Sequence, residues 1–173
     1  MQNPGKPSEK DLDLALCKGL MESRSFLQWF LSHTKFADRG PSLISCRADS
    51  PWGSHPFPTM NAETGATSLQ NRQSETDVLL VLRAKDGATL GVHVENKIGT
   101  GSFTADQPEM YWHRANHWLN NPHYGNYSEF DTVLVAPAAF LATHPEQAAC
   151  FGCRVSHEEL ARYIPLFGVR VDA

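Results

Sequence analysis

The sequence lacks any long apolar run, and no stretch approaches the length that a membrane-spanning helix needs. Its first residues, MQNPGKPSEKDLD, also lack the apolar core of a signal peptide. An excess of basic residues is missing too, since 15 Lys and Arg stand against 19 Asp and Glu and give a formal net charge of -4. These absences argue against a membrane protein and against a strongly basic nucleic-acid-binding domain. We expect a cytoplasmic protein in which any contact with a polyanion depends on a local basic face.

Cysteine is also scarce, and its spacing is not that of a small disulfide-rich secreted domain. The four cysteines are Cys17, Cys46, Cys150 and Cys153. Cys150 and Cys153 form a single CxxC pair, and with His144 and His157 they supply ligand types that zinc prefers. Two alternatives stay open: a zinc site, or ordinary packing of two small thiols, which an isolated CxxC pair favours.

The length of 173 residues, with 41% apolar and 20% charged residues, predicts one globular domain spanning 1–173. Residues 1–7 contain two prolines and are expected to form a loose tail. Ser8 and Asp11 make a capping box before a leucine-rich amphipathic pattern, which predicts a first helix over 8–35. The polar, proline-containing segment 38–74 is predicted to be a long loop with one strand near 42–48.

Apolar patterns in the second half of the chain predict several strands of one sheet. Residues 78–82 and 89–98 flank the turn residues Asp86 and Gly87, which predicts an antiparallel hairpin. The remaining predicted elements are a helix from Thr104 to Asn120, a strand from 131 to Pro137, a helical turn at 144–149, a strand at CRV and a helix from Ser156. This order predicts an α/β domain with a mixed central sheet flanked by helices.

Two charged residues, Glu95 and Lys97, share one face of the second hairpin strand, within GVHVENKIGTG. A two-residue turn sets Glu95 opposite Val78 and turns Asp77 to the other face. A three-residue turn sets Asp77 opposite Lys97 and diagonal to Glu95, so that both carboxylates share a face. The sequence leaves both registers open. In the second register, two carboxylates and an ammonium group form a site that suits Mg²⁺ and phosphodiester hydrolysis.

Three short motifs follow one another along this part of the chain: ETD at 75–77, ENKI at 95–98, and a helix with Gln107 and Tyr111. This set resembles the PD-(D/E)XK nuclease superfamily, most of all the branch with ETD, ENKI and a helix that runs from glutamine to tyrosine. The resemblance covers about 72–118 strongly and CRVSHEELARYI more weakly. It implies a restriction-endonuclease-like fold. Thr76 departs from the pattern, because it stands where the superfamily name has proline.

The resemblance also implies roles for the residues of the motifs. Asp77 and Glu95 would bind Mg²⁺ or Mn²⁺, with the backbone carbonyl of Asn96 as a further ligand. Lys97 would orient or deprotonate the attacking water, and Gln107 would face the site from the helix. These roles predict divalent-metal-dependent hydrolysis of nucleic-acid phosphodiesters, with DNA as the substrate.

Three residues outside the motifs complete the candidate set. Glu22 would be the acidic ligand that many members of the superfamily carry on their first helix, and Arg72 and Arg114 are candidates for phosphate contacts. The alternative function is that of a catalytically degenerate nuclease-fold protein that binds nucleic acid or a protein partner, which the small size and acidic charge favour. A homodimer is compatible with both.

Overall fold

The computed structural model describes residues 6–99 and 101–169; residues 1–5 of the predicted tail lie outside the described residues. Five strands form the main sheet: β1 (Ser42–Arg47), β4 (Val78–Arg83), β5 (Thr89–Asn96), β6 (Glu129–Ala136) and β7 (Cys153–Ser156), in the order β1-β4-β5-β6-β7. The β1-β4 and β4-β5 pairs are antiparallel, whereas β5-β6 and β6-β7 are parallel. The predicted mixed α/β architecture is confirmed.

The N-terminal segment forms two helices, α1 (Glu9–Glu22) and α2 (Arg24–Leu31), so the prediction of one helix over 8–35 is wrong. Ser23 lies between them in an extended conformation and its side chain accepts a hydrogen bond from the backbone N–H of Phe26, which caps α2. The break turns the chain so that both helices bury apolar faces against the sheet. The capping box of Ser8 and Asp11 at the start of α1 is confirmed.

Segment 38–74 is mostly strand, which corrects the prediction of a long loop. It contains β1 and a separate two-stranded ribbon of β2 (Trp52–Met60) and β3 (Thr67–Glu75), which pair over nine positions. The sequence hides this ribbon because most of β3 is exposed on both faces, so no apolar alternation marks it. Pro56 and Pro58 are accommodated because β2 has a free edge, where a proline needs no partner for a backbone N–H.

The second half of the chain agrees with its predicted elements to within a few residues. Helix α3 (Gln107–His117) follows β5, and Pro137 ends β6 as expected. Two short helices, α4 (Ala138–Thr143) and α5 (Pro145–Ala148), precede β7, and only α5 was predicted. Helix α6 (His157–Leu160) begins at Ser156, which forms a second capping box with Glu159.

The two faces of the main sheet are covered by different elements. Val78, Val92 and Val133 pack on the face that α1, α2 and α6 cover. Leu79, Trp118 and Tyr127 pack together on the opposite face, beside α3. Successive residues of a strand point to opposite faces and therefore contact different helices. Only side chains on the same face can share a site. No helix among residues 6–99 and 101–169 is long and apolar enough to cross a membrane.

Candidate functional site at the end of the hairpin strands

The hairpin register brings Asp77 and Glu95 together. Val78 pairs with Val94, and Asp77, in the bend just before β4, lines the same cavity as Glu95 on the face that α3 covers. Both registers considered from the sequence are wrong. The turn keeps the Ala84–Ala88 hydrogen bond and spans three residues, with Gly87 at φ +94°. Because glycine adopts this conformation without strain, the turn fixes the register that aligns the two carboxylates.

Each carboxylate of this pair has a specific hydrogen-bond donor. The backbone N–H of Asn96 donates to Oδ2 of Asp77 at 2.8 Å. Nζ of Lys97 lies 2.7 Å from Oε1 of Glu95 and forms a salt bridge that is largely shielded from solvent. Since the N–H and C=O of a strand residue point to the same side, the carbonyl of Asn96 also lies on the side of Asp77.

Gln107 links the charged pair to helix α3, as the sequence predicted for the residue that faces the site. Its Nε2 donates to Oε1 of Glu95 at 2.7 Å, and its Oε1 accepts from Nζ of Lys97 at 3.1 Å. The backbone N–H of Thr104 also donates to this oxygen, at 3.2 Å, which fixes the amide at the start of the helix. One side chain thus satisfies an anion and a cation together and holds them in a defined geometry.

A cavity of about 200 Å³ opens beside these groups. Asp77, Glu95 and Gln107 line one part of it. The remaining lining residues come from β3 and α3 and the segment before α3: Gln73, Ser74, Glu75, Thr104, Met110, Tyr111 and Arg114. The cavity is large enough for a small charged group together with water molecules.

Burial and mutual repulsion change the acidity of the carboxylates. Burial, followed by the charge of Glu95, raises the pKa of Asp77 to about 9. Burial also raises the pKa of Asp13 to about 6, although a hydrogen bond from Asn96 opposes the change. The pKa of Glu9 is raised by burial in the same way, and the charge of Lys97 opposes it. Without a cation, the number of negative charges in the site at neutral pH is therefore smaller than the number of its carboxyl groups.

Helix α1 places Glu9 and Asp13, and not Glu22, near enough for their charges to raise the pKa of Asp77, so the expectation for Glu22 is wrong. Glu22 is exposed at the end of α1 and lines a separate cavity beside Pro41 and Lys85. Asp13 is 3% exposed and accepts a hydrogen bond from Nδ2 of Asn96 at 3.1 Å. A sequence signal for it exists, because Asp13 adjoins the apolar stripe of α1, where an acid is unusual.

Arg114 is buried, although a phosphate contact was expected from a basic helix face. It is 1% exposed, and its Nε and Nη1 donate to Oγ1 of Thr76 at 2.9 Å and to Oγ of Ser74 at 2.6 Å. Its guanidinium group lies 4.0 Å from the ring centre of Tyr111. Arg114 therefore joins β3, the chain before β4 and helix α3 behind the cavity. A phosphate contact by this residue stays a prediction.

Thr76 extends this hydrogen-bond network into the core. Its hydroxyl donates to Nδ1 of His93 at 2.8 Å, because Tyr127 gives its own proton to Ala115 and so needs the proton of this neutral ring on Nε2. Nε2 of His93 then donates to the hydroxyl of Tyr127 at 2.9 Å, which in turn donates to the carbonyl of Ala115 at 2.7 Å. Burial keeps the pKa of His93 well below its usual value, in agreement with a neutral ring.

The other sequence candidates lie apart from the carboxylate pair. Arg72 is on β3, where it lies 3.6 Å from Asp106, and its guanidinium group lies 5.6 Å from the ring centre of Phe57. Of the residues considered for zinc, His157 donates to Oδ1 of Asn96 and Nδ1 of His144 lies 3.1 Å from the carbonyl oxygen of Phe140. In the part of the chain that the structure describes, no three His, Cys, Asp or Glu side chains are placed to share one metal ion.

Comparison of the chain with family models, with curated proteins and with solved structures found no match. The chemistry of the site is therefore the basis for a functional assignment. Its central features are two carboxylates, one of them bound to a lysine and a glutamine, beside a small polar cavity.

Proposed function

We propose that this chain is a divalent-metal-dependent nuclease of the PD-(D/E)XK type, with a restriction-endonuclease-like fold, that hydrolyses phosphodiester bonds of DNA. The observation that carries the proposal is that Asp77 and Glu95 line one cavity, with Lys97 bound to Glu95. Metal-assisted phosphodiester hydrolysis requires carboxylates that bind the cation and a group that positions the water. Two carboxylates and an ammonium group at one end of the sheet meet this requirement.

The donor set suits Mg²⁺ or Mn²⁺. Mg²⁺ is held in many proteins by one or two carboxylates, while waters and substrate phosphates complete its octahedral coordination. Asp77 and Glu95 provide two such carboxylates, and the carbonyl of Asn96 lies on the same side of the strand as a further oxygen. Hydrogen bonds already fix Oδ2 of Asp77 and Oε1 of Glu95, so the second oxygen of each carboxylate would take the cation.

The remaining groups would position water and substrate. A bound cation would supply Lewis-acid stabilisation of the negative charge that develops on the phosphate. Lys97, held by Glu95 and Gln107, would orient the attacking water and favour its loss of a proton. Gln107 would keep this lysine in place, because its amide bonds both charged partners.

A nuclease assay tests the proposal. Purified protein is incubated with single- and double-stranded DNA in Mg²⁺ or Mn²⁺, and wild type is compared with Asp77→Asn and Lys97→Ala. We expect metal-dependent cleavage by the wild type and a loss of at least about a hundredfold in both variants, since each removes a group that acts on the reacting phosphate. Lys85→Ala, which removes a lysine from the turn beside the separate cavity, is the matched control and should cleave normally.

The alternative, a catalytically inactive protein with the same fold, has one observation in its favour. Oε1 of Glu95 is already engaged by both Lys97 and Gln107, which satisfies part of the site without a cation. An inactive DNA-binding protein would retain DNA in a gel-shift assay without any cleavage in Mn²⁺. Cleavage that persists unchanged in both Asp77→Asn and Lys97→Ala would exclude the proposed active site.

A further inference from the structure

Two cysteines from distant parts of the chain meet on the side of the protein away from the α3 cavity. Cys17 lies on the buried face of α1, and Cys46 lies in β1, the edge strand against which α1 packs. Both side chains line one cavity of about 590 Å³ between the helix and the strand. Cys17 is 7% exposed and Cys46 is partly exposed, so the pair can be reached through this cavity.

The two thiols also interact directly. A hydrogen bond between the two side chains lowers the pKa of the Cys17 thiol and, together with burial, raises the pKa of the Cys46 thiol. The same cavity is lined by three cationic side chains, Lys10, Lys18 and Arg47, and by Asp49, which forms an ion pair with Arg47. A thiol that is stabilised as the thiolate reacts faster with disulfides, and a cationic rim attracts an anionic reagent.

We propose that Cys17 and Cys46 form a dithiol modification site that is oxidised to an intramolecular disulfide by a small anionic disulfide of the glutathione type. One protein thiolate attacks the reagent, forms a mixed disulfide and releases one small thiolate. The second protein thiol then loses its proton, attacks the mixed disulfide and releases the second small thiolate. The reagent gains two electrons, the protein loses two, and two small thiols are produced for one protein disulfide.

The disulfide would join α1 to the edge of the main sheet. It closes a loop between positions 17 and 46, which contains α2. A closed loop of this length lowers the conformational entropy of the unfolded chain and so stabilises the folded protein. Helix α1 also carries Glu9 and Asp13, so oxidation would fix the helix that places these acids near the carboxylate pair. The inference stands on these contacts alone and does not depend on the proposed nuclease activity.

Peptide mapping tests the site directly. The full chain is reduced, freed of reductant, treated with oxidised glutathione, alkylated and digested with trypsin. Cys17 and Cys46 fall in the tryptic peptides 11–18 and 40–47, whereas Cys150 and Cys153 share one peptide, 115–154. We expect the first two peptides to be joined, two of the four thiols to escape alkylation, and the melting temperature to rise by on the order of 5 °C. Reduction should reverse all three changes.

Variants separate this site from the other pair. Cys46→Ser should retain glutathione as a mixed disulfide on Cys17 or remain unmodified, without joined peptides. The double variant Cys150→Ser, Cys153→Ser should still join peptides 11–18 and 40–47. The proposal is overturned if the wild type keeps all four thiols open to alkylation, stops at a mixed disulfide, or pairs its cysteines in any other way. The wild-type map gives this answer even if a variant fails to fold.

Discussion

Asp77 lies one position before the Val78–Val94 pair of β4 and β5, and its carboxyl group lines the same cavity as that of Glu95. Two neighbouring carboxylates repel one another, so this arrangement destabilises the folded chain unless a proton or a cation is present. Asp77 responds by binding its proton more tightly, while Lys97 and Gln107 stabilise Glu95. The close carboxyl groups therefore lower the stability of the metal-free protein, and the same groups are available to bind a divalent cation.

Asp77→Asn should stabilise the metal-free protein at alkaline pH. The pKa of Asp77 is about 9 in the folded chain and 3.8 ordinarily, so between these values the native state holds more protons than the unfolded state. Stability from this residue is then highest near pH 4 and falls as pH rises towards 9. Thermal unfolding in EDTA should show the variant melting about 5 °C above the wild type near pH 8.5, with no difference near pH 4. A variant less stable than the wild type at both pH values would contradict this account.

Cation binding should depend on Asp77 and not on Glu22. Titration calorimetry with Mn²⁺ at neutral pH should show at least about tenfold weaker binding in Asp77→Asn, because a cation ligand is lost. Glu22→Gln likewise replaces a carboxyl group by an amide, at the far end of α1, and should bind as the wild type does. Equal losses in both variants would indicate a general effect of net charge.

His157 should make the protein sensitive to mild acid. Burial lowers the pKa of His157 to about 4 from an ordinary value of 6.5, and its Nε2 donates to Asn96. Its neutral form contributes stability above pH 6.5, and this contribution is lost as pH falls towards 4. The wild type loses free energy of unfolding between these pH values, and urea unfolding should show that this loss is about 2 kcal/mol smaller in His157→Gln. His123→Gln, in an exposed position, is the control and should leave the pH profile unchanged.

Arg114→Lys should destabilise the protein even though it keeps the charge. Lysine lacks the planar fork with which Arg114 reaches both Ser74 and Thr76, so one of these hydroxyls loses a hydrogen-bond donor. We expect a loss of about 2 kcal/mol in urea unfolding. Arg72→Lys should change stability very little, because Arg72 is only partly buried and its pair with Asp106 is 3.6 Å long. Similar losses in the two variants would argue against the buried network.

Local signals allowed several elements to be predicted from the sequence. Capping boxes at Ser8 and Ser156 place the starts of α1 and α6, and the Asp86-Gly87 turn marks the β4-β5 hairpin. Each of these signals depends on residues within a few positions of one another. The ribbon of β2 and β3 gave no such signal, because its strands are stabilised by pairing with each other while most of β3 stays in solvent.

The sequence by itself determined the chemical groups of the candidate site: a carboxylate before β4, a carboxylate and a lysine at the end of β5, and a glutamine at the start of α3. Only the tertiary structure decided which of these groups meet. A shift of one residue in the turn moves Asp77 to the other face of the sheet, and the turn conformation that prevents it depends on Gly87. The contacts of Asp13 with Asn96 and of Cys17 with Cys46 also join residues far apart in the chain. Such contacts form only when helix α1 packs against the sheet, because packing between distant segments leaves no local pattern in the sequence.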